Sequence, residues 1–260
     1  MTDSGVAAVR RERAELLRLC QDLSSDEWQR PSRAEGWRIQ DVVAHLGSGC
    51  HAMFSPAMVS MLRSTDIERT NDAFVDRRRE WSPSRVLGEY ERWSSRVTVL
   101  AGLIAARRVG RVRVPAGELG RFPLRQVLTG ALVFDLHTHL RHDIAPALGR
   151  TVPGTDPERM ALVLAWMFAV LTNQLRVTPP AGLTGPIDIE LAGPGAGTWS
   201  VHPDGTVLGR PAAAPVAVVS ATTLEFPEWA TRRARWEDRQ VSVVGDRDTA
   251  ARFLDALNIV

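Results

Sequence analysis

The sequence predicts a mainly α protein of the α+β class, with a helical bundle over residues 1–177 and a small α+β domain over 183–260. Three observations support this reading. Apolar residues recur at spacings of three and four through most of the first part. The stretch Thr178-Pro179-Pro180-Ala181-Gly182 can hardly stay helical and reads as a boundary. Beyond it the apolar runs shorten to strand length, and Pro203-Asp204-Gly205 supplies a hairpin turn.

In the first part, Val9, Leu16, Leu19 and Leu23 stripe a helix over residues 5–24. Ile39, Val42, Val43 and Leu46 stripe a second helix, which carries His45. Ser82-Pro83 starts a third, with Val86, Tyr90, Trp93, Val97 and Leu100 on one face. A fourth follows the turn-prone Pro115-Ala116-Gly117 and runs over residues 124–144; a fifth runs from Asp156-Pro157 to Leu175. The second part holds strands at 187–191, 198–202, 206–208 and 240–244, with helices over 224–235 and 249–257.

Composition narrows the function. The 260 residues carry 32 basic and 30 acidic side chains, a net +2, so bulk electrostatics points to neither nucleic acid nor an anionic membrane as partner. Every basic residue other than histidine is arginine. The first fifteen residues lack a signal-like apolar block, and the run Met160 to Leu171 is too short to cross a bilayer, so a cytoplasmic protein is expected. With only Cys20 and Cys50, a disulfide framework or four-cysteine zinc site is out of reach, and any metal must rest on histidine and carboxylate.

Five of the six histidines fall in two groups: His45 with His51, and His137, His139 and His142. Asp135 and His139 are four apart on the fourth helix, so they share a face, with β-carbons about 5 to 6 Å apart. His137 points away. His142 returns to the face of His139, and Asp143 is placed to orient a ring nitrogen. His45 on the second helix is a third donor, giving two imidazoles and a carboxylate with positions left for water or substrate. The same spacing also suits a hydrogen-bonded core histidine or a surface contact, so spacing alone does not choose. Cys50 beside His51 reads as a small buried thiol, and Gly193 to Gly197 as a loop, because a strand follows it where a phosphate-binding helix would have to start. The runs Arg77 to Arg79 and Arg107-Arg108 suit an anionic ligand or, more simply, solvated surface.

The stretch Pro31-Ser32-Arg33-Ala34-Glu35-Gly36-Trp37-Arg38-Ile39-Gln40-Asp41-Val42-Val43-Ala44-His45-Leu46 resembles the N-terminal signature of the mycothiol-dependent maleylpyruvate isomerase family, within the DinB-like four-helix bundles. Asn71 to Val75 and His142 to Gly149 are similar to later family segments, and residues 226–260 resemble its sterol-carrier-like C-terminal domain. The resemblance implies a divalent metal, most often zinc, held by His45, Asp135 and His139, and mycothiol as cosubstrate. The family usually has glutamate in place of Asp135, and its aspartate three residues after the ligand histidine; Asp143 lies four after His139. An inserted residue taken up as a π-bulge accounts for that spacing, and His142 is a substitute ligand. The implied chemistry is attack by a metal-activated thiolate on a small electrophile, ending in isomerisation or in a stable S-adduct. Trp37 and Trp93 are candidates to shape the substrate pocket. A hydrolase with metal-activated water, or a bundle that only binds small molecules, would use the same fold.

Overall fold

The computed structural model describes residues 2–259, which form two compact units dividing between Gly154 and Thr155. The first unit contains α1 (Thr2–Gln21), α2 (Ser25–Gln29), α3 (Ile39–Ala52), α4 (Ala57–Leu62), α5 (Ile67–Asp76) and α6 (Pro83–Ala105). A hairpin of β1 (Arg113–Pro115) and β2 (Arg121–Pro123) leads into α7, over residues 124–148. The long helices α1, α3, α6 and α7 pack on one another; in their larger apolar cluster Leu16, Ile39, Val43, Tyr90, Leu136 and Leu140 are fully enclosed, and a second cluster holds Val6, Cys50, Val97 and Leu128. At Gly47 an added Cβ would lie 3.1 Å from the backbone nitrogen of Tyr90, so glycine there lets α3 and α6 approach closely.

Local signals explain most boundaries. Helix α1 stops before Leu23 because Ser24 opens its own helix: its hydroxyl accepts from Glu27 N–H while the Glu27 carboxylate accepts from Ser24 N–H. Ser82 caps α6 with Pro83 in its first turn. Helices α4 and α5 and the hairpin were not anticipated; α5 is capped by Asp66 and anchored by buried Phe74 and Val75. Helix α7 is not uniformly α: Val127–Ala131 and His139–Ile144 are π-helical, the second lying where the four-residue gap to Asp143 called for an extra residue.

The fifth expected helix, α8 (Pro157–Val177), groups with the second unit, so the division by contact falls earlier than the boundary expected at 178–182. Its 21 residues are long and apolar enough, by length and composition, to cross a membrane. Here Phe168 instead stacks on Trp199 and Phe226, with ring centroids 4.2 and 5.1 Å away. The second unit adds β3 (Ile187–Ala192), β4 (Gly197–Val201), β5 (Val207–Leu208), β6 (Ala217–Thr222), α9 (Phe226–Ala230), β7 (Ser242–Gly245) and α10 (Arg247–Ala256). Among the described residues the sheet order is β5-β4-β3-β6-β7, with β3 and β6 parallel and the other pairs antiparallel. Strand β6, interior in the sheet, was not anticipated because its alanines and serine dilute the strand signal. The helix expected over 224–235 shrinks to five residues, and shortly after it Arg232 takes a left-handed φ of 57°.

Candidate metal centre

The entry to α3 is tied down before His45 is reached. Asp41, buried in the first turn of α3, accepts from the backbone N–H and Nε of Arg38, both at 2.9 Å, and so fixes the start of the helix. His45 follows one turn later and faces α7. There Asp135 and His139 sit one turn apart.

His45 Nε2 and His139 Nε2 each lie 3.4 Å from Asp135 Oδ1, and the three donor atoms fall within 4.8 Å of one another. Ligand bonds of about 2.0 to 2.1 Å in tetrahedral geometry place donors about 3.3 Å apart, so the spacing and the donor chemistry fit a divalent ion. Behind His139, buried Asp143 accepts from Nδ1 at 2.7 Å, which fixes the tautomer so that the Nε2 lone pair can serve the site. Burial works to lower the pKa of His139, but hydrogen bonds to Asp135 and Asp143 overcome it and lift the ring to about 9. Burial would likewise raise the Asp135 carboxyl, yet the charge of His45 and hydrogen bonds from His139 and His45 hold it well below the usual carboxylate range. The rings are closed in, with side-chain exposures of 10% for His45 and 9% for His139, whereas Asp135 keeps 36% open.

Trp37 packs beside the two imidazoles, its ring centroid 5.1 Å from His45 and 6.3 Å from His139. Its indole N–H donates to Asp72 Oδ1 on α5 at 2.9 Å. Asp72 belonged to a family-like segment, but nothing in its spacing gave it a role.

Other candidates lie elsewhere. His142 does not join the cluster; its ring is 6.2 Å from that of His137. The wider π turn brings position i+4, Asp143, back to His139 and rotates i+3 away, which corrects the reading of His142 as sharing that face. His137 meets Glu12 inside the bundle at 3.4 Å. Trp93 does not reach the site: it stacks on His51 at 4.2 Å. His51 Nδ1 is bound to Glu89, which Arg78 also holds, so that arginine belongs to a local ion-pair network. Burial pushes both the Cys20 and Cys50 thiols up to about 12, leaving neither as a nucleophile. Gly193 to Gly197 joins β3 to β4 as a hairpin loop.

Comparison with known proteins agrees with this frame. The sequence profile of the mycothiol maleylpyruvate isomerase N-terminal domain matches residues 9–139, half of the chain. A solved mycothiol-dependent maleylpyruvate isomerase and a histidine-to-alanine variant of it each superpose with a TM-score of 0.59, covering 94% of this chain and 92% of theirs at 14% identity. That likeness is one of fold. A sterol carrier protein 2-like 2 from Aedes aegypti overlaps 38% of the chain with a TM-score of only 0.30, too low to bear on the second unit. No curated protein matches the sequence. The profile match, spanning half of the chain, makes it a member of the mycothiol maleylpyruvate isomerase family.

Proposed function

We propose that this protein is a metal- and mycothiol-dependent enzyme that adds an external thiolate to a small electrophile, with His45, Asp135 and His139 holding the metal. The observation that carries the reading is the cluster itself: two imidazoles and one carboxylate converge from α3 and α7 and are exposed chiefly at Asp135. Both of the chain's own thiols are buried and protonated, so the reacting sulfur must arrive from outside.

When bound, a divalent ion would favour the thiolate form of a coordinated thiol and neutralise negative charge that develops on the substrate. The protein's share is to hold and orient. Asp143 keeps the proton of His139 on Nδ1, so that Nε2 faces the site. Leu136 and Leu140, fully buried beside the ligands on α7, keep that part of the helix dry and rigid. Addition of a thiolate to a cis double bond, rotation about the resulting single bond and elimination give the trans isomer and return the thiol. An enzyme that stops after addition is an S-transferase.

The test is to incubate purified protein with mycothiol and a panel of α,β-unsaturated acids, following isomer and adduct by mass spectrometry. The reading predicts turnover in wild type that is lost in His45→Ala. Metal-bound protein that instead hydrolyses esters without consuming or requiring thiol would replace it with a hydrolase.

A further inference from the structure

We propose that Trp37 and Asp72 form a latch that shuts one side of the His45 and His139 pair and leaves the Asp135 side as the route by which ligands arrive. This deepens the reading above and rests on it for the purpose of the site, though not for the closure itself. Trp37 lies in the segment just before α3, and Asp72 on α5, 35 residues later. Their contact links two elements through side chains at the margin of the core rather than within it. The indole is only half-buried, at the margin of the core, and Asp72 is exposed. Ordinary packing does not require an exposed carboxylate to grip an indole N–H, whereas a cover that must stay over two rings does.

The indole lies nearly parallel to His139, with 26° between the planes, and is tilted 42° to His45, so one aromatic plane screens both imidazoles. The rings of His45 and His139 are themselves 5.1 Å apart and edge to face, leaving no room for a second aromatic between them. With this side covered, the accessible surface of the site is chiefly that of the Asp135 carboxylate. Trp37 is thus a positioning residue: it limits approach and holds ring orientation without supplying a donor atom. Asp72 keeps it in place, and α5 is anchored independently through Phe74 and Val75.

Closure can be read without any metal, from the rate at which diethyl pyrocarbonate modifies His45 in metal-free protein. Peptide mass spectrometry resolves the sites, and His51, with 37% of its side chain exposed, is the internal reference. Asp72→Ala should speed modification of His45 about tenfold, the population change for about 1.4 kcal/mol, which is within the range of one ordinary hydrogen bond. Trp37→Ala should speed it further, and Trp37→Phe should resemble Asp72→Ala because it keeps a ring and loses the N–H. Asp72→Asn retains the acceptor oxygen and should stay near wild type, a rescue that a merely structural role would not produce. His51 should be unaffected throughout. A His45 rate within twofold of wild type in Asp72→Ala, or Asp72→Asn behaving like Asp72→Ala, would overturn the latch. Metal content is measured separately, so failure of the metal reading leaves this test decisive.

Discussion

Replacing Asp143 gives the sharpest quantitative handle on the proposed centre, because it would act on a bound metal only through His139. Its carboxylate is fully buried and accepts the His139 Nδ1 proton at 2.7 Å, a short charge-assisted bond shielded from solvent. A hydrogen bond to a charged group contributes about 1.5 to 3 kcal/mol, and removing such a partner of a ligand imidazole lowers metal affinity about 10- to 100-fold. The two figures agree, since a tenfold change is about 1.4 kcal/mol. Asp143→Asn, which keeps shape and an acceptor oxygen, should fall at the lower end. Asp143→Ala, which leaves Nδ1–H unsatisfied, should fall at the upper. Zinc affinity is read by competition with a chromophoric chelator, with circular dichroism checking that the helices persist. An affinity within twofold of wild type in both variants would refute the view that Asp143 orients a metal ligand.

Further outcomes follow from the same structure. Glu12 is fully buried with Arg141 and His137. Glu12→Gln should cost about 2 kcal/mol, read by urea unfolding, because it leaves Arg141 with only Glu15 of its two carboxylate partners. Burial raises the Glu12 carboxyl, but His137 and Arg141 outweigh it and lower it below the ordinary 4.5. Its stabilisation is therefore complete above about pH 4.5 and lost as pH falls through the depressed value, so Glu12→Gln should flatten stability across that acid range. His51→Ala should leave metal stoichiometry unchanged, because His51 is engaged by Glu89 and Trp93 and stands outside the cluster. Gly205→Ala should destabilise the second unit by more than about 2 kcal/mol in thermal unfolding: φ is 80°, and the new Cβ would lie 2.2 Å from the Leu175 carbonyl oxygen.

The long bundle helices were legible because their apolar residues repeat at helical spacing, whether one face is buried, as on α6 with Val86, Tyr90 and Val97 fully enclosed, or nearly all of the helix, as on α3. His45, Asp135 and His139 were legible for a related reason, since an i, i+4 pair fixes two donors and a signature histidine on a facing helix offers a third. His142 shows the limit of that method: helical phase is computed for an α-helix, and the π segment over His139–Ile144 changes it. Asp72 was hidden because its contact with Trp37 crosses 35 residues and leaves no periodic trace. Strand β6 was missed for the opposite reason, its weak local pattern being overridden by pairing with β3 and β7. The break after α9 depends on a left-handed arginine, Arg232, that propensity does not foresee.

Metal analysis of protein purified without chelator tests the central claim most directly. The account predicts close to one equivalent of a divalent metal per wild-type chain, and near zero for His45→Ala and His139→Ala, with both variants folded. Full metal content in both variants, or a metal-free wild type that takes up none on reconstitution, would contradict it.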